Sequence, residues 1–273
     1  MTRGHAAVAL ACAVLLVPRT AVAQSLYPEK ILGQAEAAGL AVAMPSEPMR
    51  PGVKTLGVMP MYITADLGWK QAEVTNGPGI AASFDYYKSR HFGAGAMLVG
   101  EEATGRWPAE NSVSLKGSGY LASGYLLYDP FSGENFGLPL LLGLSQSYDD
   151  LETSQPVNGY PQKTTANGFG LMLGLSPQFN LWKLRLAPYG ALSLSPNPSG
   201  CTNDSNNCHV AEYDPSFPYQ TVGGAGISVI WRPWNLAFTS SMTTSVGTSA
   251  YTLKWTKSFG GAPSAPAEAG GKS

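Results

Sequence analysis

The chain has 273 residues, of which 44% are hydrophobic and only 13% charged, about half the charge usual in a soluble domain. A formal net charge of −1 leaves no basic footprint for a nucleic-acid partner. An aromatic content of 10% excludes disorder for the bulk of the chain.

Residues 1–23 read as a cleaved secretory signal peptide. A basic start at Arg3 is followed by the apolar run Ala6 to Val17 and by the small residues Ala21 and Ala23 of an A-x-A site. The run is too short for a membrane anchor, since a spanning helix takes about 20 apolar residues. Residues 24–57 form a periplasmic N-terminal lead, expected to be partly disordered. A short helix starting at Pro28 and ending near Gly39 fits its first part. Met44 to Val53, with Pro45, Pro48 and Pro51, reads as extended linker. A helix capping or plugging the following domain is an alternative for this segment, and extra strand structure is another.

Residues 58–259 alternate with the period of a β-strand, in which successive side chains point to opposite faces. Met59, Met61, Ile63, Ala65, Leu67 and Trp69 share one face, and Tyr62, Thr64 and Asp66 the other. Next, Ile80, Ala82, Phe84 and Tyr86 alternate with Ser83, Asp85 and Tyr87, then Phe92 to Leu98 with Gly93, Gly95 and Met97. The pattern continues through Tyr120–Tyr128, Leu138–Ser145, Phe169–Ser176, Trp182–Ser193, Gly224–Arg232, Trp234–Met242 and Tyr251–Phe259. Ten strands follow, with eight or twelve also compatible because each signal is weak.

The connections differ at the two ends. Ser89 to His91, Asn180–Leu181 and Arg232 to Asn235 are tight, and Asp129 to Asn135 is moderate. Gln71–Gly79, Glu101–Lys116, Tyr148–Ala166 and Ser195–Tyr219 are longer and polar. Short turns at one end and long loops at the other mark an outer-membrane barrel with its short turns in the periplasm. The expected fold is all-β: a transmembrane antiparallel up-and-down barrel. Trp69, Trp182, Trp231, Trp234, Trp255 and Phe259 fall near strand ends, where amphipathic rings favour the membrane interface. The second face is mostly Gly, Ser, Thr and Tyr. It carries Asp66, Asp85, Lys183, Arg185, Arg232 and Lys254 as expected lumen charges, which must be paired or hydrated.

Cys201 and Cys208, in CTNDSNNC, are expected to form a disulfide in an oxidising compartment. Residues 260–273 are a low-complexity, disordered tail. No metal or cofactor is expected. The glycine runs GFGLMLG and GGAGIS lack the following helix that a phosphate loop requires. His91 lies at a turn and His209 beside a cysteine, neither next to a plausible nucleophile, so no catalytic residue and no enzyme activity are expected.

The alternating pattern over Val58 to Phe259 resembles the bacterial outer-membrane β-barrel superfamily. The final strand, Tyr251 to Phe259, is similar to the aromatic-ended strand that the barrel-assembly machinery recognises. The resemblance implies an outer-membrane location, a lipid surround and assembly by that machinery. The ten-stranded omptin proteases resemble the chain in strand count only. The expected role is structural or surface-interacting, with a narrow porin-like channel for small polar solutes as the alternative. A membrane-embedded enzyme is the weakest of the three.

Overall fold

A computed structural model describes residues 43–45, 47–66, 73–106, 113–133, 135–155, 163–196, 199–202, 219–243 and 249–260. The strands are β1 (Val53–Asp66), β2 (Glu73–Tyr87), β3 (Phe92–Arg106), β4 (Ser114–Tyr128), β5 (Phe136–Gly137), β6 (Leu140–Thr153) and β7 (Lys163–Leu175). They continue with β8 (Gln178–Leu181), β9 (Leu184–Pro196), β10 (Ser199–Thr202), β11 (Tyr219–Trp231), β12 (Leu236–Thr243) and β13 (Ser249–Gly260).

Ten of them close a ring. Antiparallel neighbours run β1, β2, β3, β4, β6, β7, β9, β11, β12, β13, and β13 pairs back onto β1 from Val53↔Gly260 to Thr64↔Ser249. Closure matters in a bilayer, where no water is present to satisfy an open strand edge. The three short strands are additions. β10 lies on the outer part of β7, and β5 and β8 make a small flap on β9 at the short-turn end. Most ring strands have 12 to 15 residues, more than the roughly 9–11 a tilted crossing needs, so they project beyond the membrane.

The first strand starts at Val53, five residues before the boundary expected from sequence. The early part of β1 pairs on both sides, with Lys54 opposite Tyr86 on β2 and Phe259 on β13. The turn expected at Asn180–Leu181 is also displaced. It lies at Trp182–Lys183, because Leu181 pairs directly with Leu184. Trp182 takes φ +55° there.

Outside, the ring carries an apolar belt. Ile80, Phe84, Leu98, Tyr120, Leu126, Leu142, Leu144, Phe169, Ile227, Phe238 and Leu253 are all exposed. A band of large apolar side chains around a closed sheet is the surface that lipid requires. Inside lie Met59, Met61, Ile63, Met97, Tyr125, Met172, Tyr189 and a set of serines and threonines. For nine strands the inward face is the small, polar one expected from the pattern. In β1 the faces are the reverse of that expectation. Met59, Met61 and Ile63 point inward, while Leu56, Val58 and Tyr62 face out. Both faces of β1 are apolar, so alternation alone does not distinguish them.

The inward tyrosines fit a register rule. Tyr87 is paired with Gly93, Tyr125 with both Gly95 and Gly143, and Tyr189 with Gly226. A side chain on Gly226 would come 2.7 Å from the ring of Tyr189 and 2.5 Å from the carbonyl of Ser240. Each large ring thus lies over a neighbour that has no side chain, which pins the register and fills a curved wall.

Candidate functional site: the lumen and its periplasmic mouth

The start of β1, the end of β13 and the short turns lie at one end of the ring, which sets that end as periplasmic. The most polar part of the wall is there. Asp85 on β2 points inward and is almost fully buried. Its carboxylate accepts hydrogen bonds from the hydroxyls of Thr55 (2.8 Å) on β1 and Tyr125 (2.7 Å) on β4. Lys254 on β13, also buried, acts on Asp85 as its opposite charge. The cluster joins the first, second and last strands, so it stitches the seam where the ring closes. A charge inside a barrel is tolerable only when it is paired in this way.

The residues just before β1 enter this mouth. Ala43, Met44 and Met49 are buried. The methyl of Met44 occupies the space that a side chain on Gly174 would take. Two successive carbonyls of the lead are then met by buried donors from two different strands, β13 and β8. Lys254 Nζ donates to the carbonyl of Met44 (3.3 Å), and Gln178 Nε2 donates to that of Pro45 (2.8 Å). Gln178 is itself oriented by Arg185, whose Nη1 donates to Gln178 Oε1 (3.2 Å) while its Nε donates to Asn180 Oδ1 (2.8 Å). The hydroxyl of Ser258 donates to the carboxylate of Glu47. Buried backbone carbonyls need such partners, so these contacts seat the segment rather than merely touch it. Met44 to Arg50 is therefore not a free linker, despite its prolines.

Further in, the lumen is lined by hydroxyls. Ser83, Ser123, Ser193 and Thr252, with Oε2 of the inward Glu101, are buried and find no protein hydrogen-bond partner among the described residues. Buried hydroxyls without protein partners are ones that water commonly satisfies, so this part of the wall is suited to ordered water.

The six expected lumen charges separate into three groups. Asp85, Arg185 and Lys254 point inward and are buried. Lys183 and Arg232 do not belong to the lumen. They are exposed at neighbouring periplasmic turns, with Lys183 Nζ 4.7 Å from the ring centroid of Trp182 and Arg232 Nη1 donating to the carbonyl of Trp182 (2.9 Å). The alternation that placed them inward ends with the strands. The third group is Asp66, which closes β1 beyond an irregularity in its pairing; its side chain lies outside the described ones. Trp182, Trp231, Trp234, Trp255 and Phe259 are exposed on the periplasmic half of the outer wall or its turns. Trp69 and Cys208 lie outside the described residues, as do the side chain of Cys201, the signal peptide and the C-terminal tail.

Sequence reasoning missed Asp129. It is buried in the turn between β4 and β5, and its Oδ1 accepts from the backbone N–H groups of Phe131 (3.0 Å), Ser132 (2.9 Å) and Leu138 (2.9 Å). The Asp-Pro step was the available signal, since aspartate initiates turns by this bond. Gln178 and the lead carbonyls gave no local signal.

A closed antiparallel ring with an apolar outer belt and a partly polar, hydroxyl-bearing interior has the architecture of a transmembrane β-barrel of the outer-membrane class. One solved structure shares the fold, and two others are more distantly similar. The translocator domain of the autotransporter NalP from Neisseria meningitidis is similar over 87% of this chain and 100% of its own, with 16% identity and a TM-score of 0.52. The transport unit of the autotransporter AIDA-I from Escherichia coli aligns over 84% of each chain at 13% identity, with a TM-score of 0.46. The outer membrane protease OmpT from Escherichia coli covers 76% of this chain and 97% of its own at 11% identity, with a TM-score of 0.41. No protein-family model and no curated protein matches the chain. The fold is that of the outer-membrane β-barrels.

Proposed function

We propose that the barrel is a plugged scaffold that displays its outer loops, and that it does not conduct solutes in its resting form. The observation that carries this reading is the seating of Met44 and Pro45, each held through its carbonyl by a buried donor in the periplasmic mouth. The role is non-catalytic. His91, the only histidine among the described residues, sits at a periplasmic turn with Nδ1 2.7 Å from the carbonyl of Asp129. The terminal strand β13, which completes the ring against β1, is the segment the assembly machinery would read.

A second reading is a narrow channel gated by the lead, which the hydroxyl-lined chamber supports. Planar-bilayer recording of the full chain and of a variant lacking residues 24–51 separates them. The scaffold reading expects no steady conductance from the full chain. Openings that appear only in the deletion variant make the lead the plug. Steady openings of the full chain would sink the scaffold reading and leave the channel.

A further inference from the structure

The periplasmic rim of the outer wall carries a cationic collar at the seam. Lys54 on β1 and Lys257 on β13 both point outward and are exposed. Lys54 pairs with Phe259 and Lys257 with Leu56, so the two lysines are diagonal neighbours on one face. Such neighbours have Cα atoms about 7–8 Å apart, within reach of a shared anion for two long side chains. Lys88, exposed just past the end of β2, stands on the other side of Lys54, whose second partner is Tyr86.

The surroundings are those of a lipid interface rather than a solvated surface. Lys257 Nζ lies 5.4 Å from the ring centroid of Phe259, and Trp255, Tyr86, Leu56 and Val58 are exposed on the same wall. Lys88 also edges a depression of the outer wall whose other sides include Phe92, Leu126 and Tyr128. Between Lys54 and Tyr62, Pro78 and Lys88, and Tyr251 and Phe259 there is a single acid, Asp85, and it points into the lumen. Among the described residues the outward face therefore presents three positive charges directly beneath an apolar belt, with Asp85 turned into the lumen and Glu47 engaged by Ser258. Lysines in this position extend along apolar surface and place the ammonium at headgroup level.

We propose that Lys54, Lys88 and Lys257 form a binding site for the phosphate of an anionic phospholipid in the periplasmic leaflet, with its acyl chains on the adjoining belt. Each lysine close to an anionic headgroup contributes about 1 kcal/mol, or roughly fivefold in affinity. The proposal rests on the barrel's membrane setting and is independent of whether the lumen is plugged.

The test uses the full chain in detergent micelles holding equimolar phosphatidylglycerol and phosphatidylcholine with identical acyl chains. Retained lipid is counted by native mass spectrometry. Wild type is expected to retain phosphatidylglycerol over phosphatidylcholine by about fivefold or more. The triple variant K54Q/K88Q/K257Q is expected to bring the ratio close to one, and K116Q/K163Q, which removes two charges at the opposite end, to leave it unchanged. Boiled and unboiled gel mobility confirms folding of each variant, and K54Q and K257Q singly, each expected to lower the ratio, replace the triple if it fails to fold. A wild-type ratio near one overturns the site, as does a preference that survives loss of the lysines. An equal fall in K116Q/K163Q also overturns it, since net charge would then explain the preference.

Discussion

The hydroxyl of Tyr125 on β4 donates to Asp85 Oδ1 on β2 across 2.7 Å, spanning the whole width of β3. It can do so because Gly95 is the cross-strand partner of both residues. A side chain on Gly95 would meet the Asp85 carboxylate, and it would lie 2.5 Å from the Tyr125 ring. Gly95→Ala is therefore expected to destabilise the barrel by about 1–3 kcal/mol through overpacking and displacement of the ring. The urea midpoint of the heat-modifiable gel band measures this. An unchanged midpoint would mean that Tyr125 does not lie over Gly95 in the membrane.

Removing the carboxylate tests the seam. Asp85→Ala takes from the buried Lys254 the stronger of two opposite-charge interactions, leaving that of Glu47, and takes from Thr55 and Tyr125 their acceptor. The expected loss is about 3–5 kcal/mol, because removing one partner of a buried pair costs more than removing both. The double variant D85A/K254M should be less destabilised than the two single losses added together, and a double-mutant cycle on urea midpoints reads that coupling. Simple additivity would place the two charges in separate environments.

At the opposite side of the ring, Asp129 holds three backbone N–H groups in one turn. Asp129→Ala leaves them to water and is expected to cost about 1–3 kcal/mol. Proteolysis should then cut between Phe131 and Leu138, with the remaining strands protected. Uniform resistance of the variant would show that the turn holds its shape without the carboxylate.

Trp182 sits in the left-handed backbone region at φ +55°, which is costly for a bulky side chain. Trp182→Gly should relieve about 1–2 kcal/mol of backbone strain and raise the urea midpoint in detergent. In bilayers the same variant should lose interfacial anchoring, so the two media should respond in opposite directions. A lower midpoint in detergent would mean that the contact of the ring with Lys183 outweighs the strain.

The ring was legible in the sequence because nine strands set small or polar residues against large apolar ones, as Ser83, Asp85 and Tyr87 stand against Phe84 and Tyr86. β1 was legible as a strand but its inward face was not, because Met59, Met61 and Ile63 are as apolar as the Leu56, Val58 and Tyr62 opposite them. Lys183 and Arg232 were misplaced for a different reason: period two holds only while the backbone is extended, and both lie in turns. The seating of the lead at the mouth was only one of several readings. Pro45, Pro48 and Pro51 give the lead the composition of a linker, and its partners are 133 to 211 positions away. Contacts at that separation leave no periodic trace. The tyrosine–glycine pairs were hidden likewise, since a glycine-rich chain shows which tyrosine faces which glycine only once the register exists.

The latch on the lead has a consequence for the order of events during assembly. Met44 is held by Lys254 across 210 positions, and Glu47 by Ser258 across 211. Both partners sit on the last strand of the ring. The segment that leads into the barrel can thus be fully seated only when its final strand is in place. Until then Gln178 can hold it at Pro45, but the carbonyl of Met44 must find water instead. Full seating of the lead is accordingly a late step that reports a finished ring, and a barrel whose last strand fails to dock would be left with its beginning only partly secured.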